Sequence, residues 1–85
     1  MSDDTTIDRN STRHAYEQVA DAIAARVVTG RYLGKLPAEV ALAEEFSVSH
    51  LTIRHAMAVL RERGLIVTIH GRGTFVSPGY LAARH

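Results

Sequence analysis

The densest run of groups able to make directed contacts is Ser49-His50-Leu51-Thr52-Ile53-Arg54-His55. Arginine presents paired N–H donors that match the O6 and N7 acceptors of guanine. Threonine donates to a base edge or a phosphate, or packs on a thymine methyl. A second group lies at His70-Gly71-Arg72-Gly73-Thr74. There an arginine stands between two glycines, which let the chain approach a phosphate backbone closely and let the side chain reach into a minor groove. The candidate contact set is therefore Ser49, His50, Leu51, Thr52, Arg54 and His55, with His70, Arg72, Gly73 and Thr74. An imidazole at His50 would also gain charge beside phosphates on mild acidification.

Other chemistries fit poorly. No nucleophile has an orienting base beside it, so no catalytic constellation is visible and no enzyme is expected. Glu44-Glu45 reads as a solvated face. His50 and His55 are five apart, which places them poorly on one helical face, and no carboxylate lies between them. With no cysteine in the chain, neither a thiol-ligated metal nor a disulfide framework can form, and no metal or cofactor is implied.

These groups need elements to hold them. Tyr16, Val19, Ile23 and Val27 recur at helical spacing, with Ser11 or Thr12 upstream as a cap and Gly30 downstream as a stop. They predict a helix over about 12–29, with Tyr16 on its core face. Residues 30–37 read as a connector, and Pro37 leads into a second helix over about 38–46 that buries Leu42 and Phe46. Ser47-Val48-Ser49 breaks it. Ser49 then caps a third helix over about 50–63, with Ile53, Ala56, Met57 and Leu60 inward and the 50–55 contact residues outward.

The apolar period then changes from 3.6 to 2. Leu65–His70 and Thr74–Val76 read as strands joined by Gly71-Arg72-Gly73. The expected fold class is α+β: three helices followed by a two-stranded hairpin. Two short helices joined by about three residues form a helix-turn-helix, whose second helix enters the major groove by its N-terminal end. The hairpin is its wing. The domain is expected over 12–77, after a disordered leader at 1–11 and before a tail or truncated linker at 78–85.

Composition agrees. At 46% apolar residues the chain should fold, and its 85 residues leave no room for an effector domain of ordinary size. No apolar run approaches the roughly 20 residues of a membrane helix, and the acidic, polar N-terminus is not a secretory signal. A cytoplasmic place, at the bacterial nucleoid, is expected. The net charge is only +1, but it is unevenly spread. Residues 1–45 hold five basic and eight acidic residues, whereas residues 46–85 hold five arginines and one glutamate. The second half is a candidate footprint for a polyanion, though a solvated surface with a chance bias would look the same.

From Tyr16 to Val76 the pieces resemble the N-terminal domain of the gluconate-operon-repressor (GntR) family of bacterial transcription factors. They are Tyr16-Glu17-Gln18-Val19-Ala20, Leu36-Pro37-Ala38-Glu39, Leu42-Ala43-Glu44-Glu45-Phe46, Val48-Ser49, Thr52-Ile53-Arg54, Gly64-Leu65-Ile66 and Gly71-Arg72-Gly73-Thr74-Phe75-Val76. The resemblance implies a winged helix that binds an inverted-repeat operator as a dimer and regulates transcription, most often as a repressor. Here a homodimer is expected to pair on the double-stranded DNA operator itself. The departures matter too. Val40 and His50 stand where the family commonly has arginines, Ala38 where a serine would cap, and Ser47 where a glycine is frequent. The connector is about two residues shorter than usual. The alternative they leave open is a winged-helix protein-interaction module with weak or no DNA binding.

Overall fold

The computed structural model describes Ile7 and residues 14–83. The order is α1 (Ala15–Val28), α2 (Glu39–Phe46), α3 (His50–Glu62), β1 (Ile66–Ile69), β2 (Gly73–Val76) and α4 (Pro78–Ala83). It is a winged helix-turn-helix with one element more than expected. The 1–11 leader lies outside the described residues apart from Ile7, which packs against the core.

Ser11 and Thr12 also lie outside the described residues, and α1 begins later than its pattern suggested. Its cap position is His14, whose backbone N–H donates to the Glu17 carboxylate at 3.2 Å. Val19, Ile23 and Val27 are fully buried, as their spacing predicts, while Tyr16 is only half-buried. Ala38, which has no side-chain acceptor, opens α2 without a side-chain cap. The Ser49 hydroxyl does cap α3, accepting from the Thr52 backbone N–H at 3.1 Å. Phe46, Leu42, Ile53, Met57, Leu60 and Ile66 complete the core with the α1 residues. Each such side chain contributes about 1.5–3 kcal/mol on burial.

The three main helices close alike. A left-handed residue follows each helix, directly after α2 and one position later after α1 and α3, whose caps Thr29 and Arg63 are right-handed. The next amide reaches back to a carbonyl about one turn earlier: Arg31 N to Arg26 O at 2.8 Å, Val48 N to Ala43 O at 3.1 Å, Leu65 N to Leu60 O at 3.1 Å. Glycine occupies the left-handed position after α1 (Gly30) and α3 (Gly64), but after α2 it is Ser47, at φ 55°. Positive φ there was the conformation that the frequent glycine implied.

β1 and β2 pair antiparallel, Ile66 opposite Val76 and Thr68 opposite Thr74. The hairpin loop is His70-Gly71-Arg72, so His70 belongs to the turn and Gly73 to the returning strand, one residue off the expected boundaries. The connector is not all loop. Leu36 N donates to Thr74 O and Val76 N to Gly34 O, both at 2.8 Å, so residues 34–36 pair with β2 on its second edge. Within the expected tail or truncated linker, residues 78–83 form α4, which Pro78 opens because proline's fixed φ and missing N–H suit a first helical turn.

Candidate nucleic-acid interface

The first turn of α3 is held from two sides. Ser49 Oγ sits 2.9 Å from Thr52 Oγ1 as well as capping the helix. From α2, the Glu39 carboxylate lies 3.1 Å from His50 Nε2 and 3.9 Å from Arg54 Nε, both on the same oxygen. An ionised carboxylate only accepts, so in this contact His50 Nε2 carries a proton and donates it. Arg54 keeps 70% of its side chain exposed, with its terminal nitrogens clear of Glu39 Oε1. Leu51 is 76% exposed, beside these polar groups. His55 lies flat on Tyr16, ring centroids 3.6 Å apart and planes 9° from parallel, and His14 stacks beyond Tyr16 at 5.6 Å. Tyr16 therefore braces the recognition helix rather than filling the core interior.

The wing presents Arg72 exposed at its tip, its backbone N–H bonded to Ile69 O at 2.9 Å. His70 is exposed one position before Gly71 (φ 76°). Thr74 points along a chain of contacts: Arg61 donates to Thr68 Oγ1 at 2.8 Å, and Thr68 Oγ1 lies 3.4 Å from Thr74 Oγ1. That chain ties the end of α3 to the hairpin. Ser49, His50, Leu51, Thr52, Arg54 and His55 thus share one end of α3. His70, Arg72, Gly73 and Thr74 share the wing.

Between the two groups runs an open cleft of about 650 Å³, lined by residues 35–40, His50, Gly73 and Thr74. Two of its features, Glu39 and Lys35, escaped the sequence reading. Glu39 orients His50 and Arg54, and only the fold brings α2 to α3 in this way. Lys35, read as connector, lies across the wing: a Cβ on Gly73 would stand 2.8 Å from Lys35 Cε. The alternation of Lys35 outward with buried Leu36 was the available signal. Val40, standing where a family arginine is common, is 58% exposed on the cleft wall.

Elsewhere charges serve the fold. Arg26 is 3% exposed, donating to Tyr32 Oη at 2.6 Å and to Glu45 at 2.5 Å, with its guanidinium 4.9 Å from the Phe46 ring centroid. The Glu44-Glu45 pair is therefore not simply a solvated face, since Glu45 neutralises a buried cation. Arg63 pairs with Asp21 at 3.1 Å. Among the described residues no three His, Cys, Asp or Glu side chains gather as a metal site, and no helix is long and apolar enough to cross a membrane.

The model for "Bacterial regulatory proteins, gntR family" matches residues 15–76. The chain is 43% identical over 63 residues to an HTH-type transcriptional regulator of Rhizobium meliloti (strain 1021), covering 72% of this chain and 26% of that protein. It is 35% identical over 71 residues to the histidine utilization repressor of Klebsiella aerogenes, covering 81% and 30%. The chain spans between 20% and 30% of the length of such curated relatives. In structure it is similar to AraR(DBD) in complex with operator ORX1, with a TM-score of 0.79 and 32% identity over 85% of this chain and 94% of that one. The cap, the helix-turn-helix and the wing described above all fall within the matched segment, and the chain belongs to the gntR family of bacterial regulatory proteins.

Proposed function

We propose that this domain binds a double-stranded, inverted-repeat operator and regulates transcription, in the sense of repression that several relatives' names carry. α3 enters the major groove and the wing the adjacent minor groove. Ser49, His50, Leu51, Thr52, Arg54 and His55 face the major groove, and His70, Arg72, Gly73 and Thr74 the minor groove and its phosphates. The reading rests above all on one observation. The exposed Arg54 guanidinium stands at the N-terminal end of α3, oriented by Glu39, in a fold that matches an operator-bound domain.

His50 and Val40 weaken electrostatic capture relative to arginines. His50 offers a ring nitrogen in place of a guanidinium, and Leu51 an apolar surface whose natural complement is a thymine methyl. Two copies meet on a symmetric site. The domain acts by binding rather than catalysis, without a cofactor, in the cytoplasm at the nucleoid.

The test is fluorescence anisotropy with a labelled duplex carrying a GT…AC inverted repeat, a scrambled duplex, and two salt concentrations. Operator binding predicts preference for the repeat, steep weakening with salt, and loss of the preference in Arg54→Ala. Salt-insensitive behaviour, or no binding by a folded sample, overturns the reading.

A further inference from the structure

An α3 in the major groove and a wing in the neighbouring minor groove must straddle the sugar–phosphate strand that forms the wall between those grooves. In this molecule the space between the two groups is the cleft lined by His50 on the α3 side and by Gly73 and Thr74 on the wing side. Its floor is the Lys35–Val40 segment. We propose that Lys35 seats a phosphodiester of that dividing strand, making the cleft a phosphate site shared by wing and helix-turn-helix. The inference rests on the operator-binding reading.

Three observations support it. Lys35 is not on a floppy loop: its neighbours Gly34 and Leu36 are hydrogen-bonded to β2, and Lys35 bridges Phe75. Its stem has a built path across Gly73, since an added Cβ there would stand 2.8 Å from Lys35 Cε and 3.6 Å from Nζ. Lys35 is exposed, and its stem lies over Gly73. Among the described residues the Lys35 ammonium has no carboxylate partner within 4.0 Å. Glu39, the acid that shares the cleft, has one oxygen engaged by His50 and near Arg54, so it does not neutralise the lysine. A compact cation on a backbone that is held, with no carboxylate partner among the described residues and set on the path of a phosphate strand, suits a single-point contact.

Lys35→Met tests this, because methionine keeps the aliphatic stem over Gly73 and drops the charge. Affinity for the repeat and scrambled duplexes is measured across a salt series, with unfolding curves confirming the fold. One lost phosphate contact lowers the salt slope by about 1 and weakens both duplexes by the same factor. An unchanged slope in Lys35→Met, or weakening confined to the repeat duplex, overturns the phosphate role while leaving operator binding intact. A wild-type protein without salt-sensitive duplex binding removes the underlying reading, and this one with it.

Discussion

Arg26 and Arg54 carry the same guanidinium and meet opposite fates. Arg26 is enclosed where α1, the connector and α2 meet, capped by Tyr32, Glu45 and the face of Phe46. Arg54 stands in water at the end of α3, touched only from one side by Glu39. Glutamates partner both, but the Arg26 pair is closed and serves the angle between helices, whereas the Arg54 pair is loose and serves orientation. The difference shows why charge counted along the chain is a poor map of the binding face. Part of the first half's acidity is consumed by cations, at Glu45 within that half and at Asp21 and Glu39 across the fold. Of the second half's five arginines, the four within the described residues divide between the fold (Arg61, Arg63) and the outward face (Arg54, Arg72).

The contrast breaks most visibly at Arg26. Arg26→Ala strips the partner from Glu45 and a cover from Phe46. It should lower stability by about 3 kcal/mol, the low end for a buried pair because Glu45 keeps a third of its side chain exposed. A melting curve should drop by more than about 10 °C. Binding measured well below that melting point should be unchanged; a matching loss of affinity would mean that the two regions are not separable.

Arg54→Ala should do the reverse, leaving the melting curve within error and costing about 1–3 kcal/mol of affinity, about five- to 150-fold, on the preferred repeat. Arg72→Ala should weaken repeat and scrambled duplexes alike and lower the salt slope by about 1 if the wing tip meets phosphate. Loss confined to one sequence would instead assign it a base edge. The smallest effect should come from Ser47→Gly. Relief of the left-handed serine, about 1–2 kcal/mol, is partly offset by glycine's entropy, about 0.5–1 kcal/mol. Melting should rise by a few degrees with affinity untouched.

Ser47 also shows what could be read in advance. Its left-handed conformation was expected because the family that the chain resembles frequently has glycine there. The Ile53, Ala56, Met57 and Leu60 stripe and the glycines of the wing were readable from the residues themselves, because backbone period and φ preference are local. Arg26 was not legible as a core residue, although it sits three after Ile23 and seven after Val19. Its burial depends on Tyr32 and Glu45 arriving from other elements. α4 was not foreseen as a helix of its own, because a proline that ends a strand pattern does not by itself say that a helix follows. In the candidate site, the residues of α3 and the wing were visible as a list, but Glu39 and Lys35 acquire roles only when α2 and the 34–36 segment are brought against them.

The pairing of residues 34–36 with β2 also works as a gauge block. With β2 gripped on both edges, the distance from the wing tip to the recognition helix is set like the jaws of a calliper. Insertions beside the exposed Leu33 change only the slack between Tyr32, which bonds Arg26, and Gly34. A slip of one residue at 34–36 would reverse the alternation of side chains, turning Lys35 toward the core and Leu36 out into the cleft. Length variation in this connector should therefore accumulate before Gly34 and stop there.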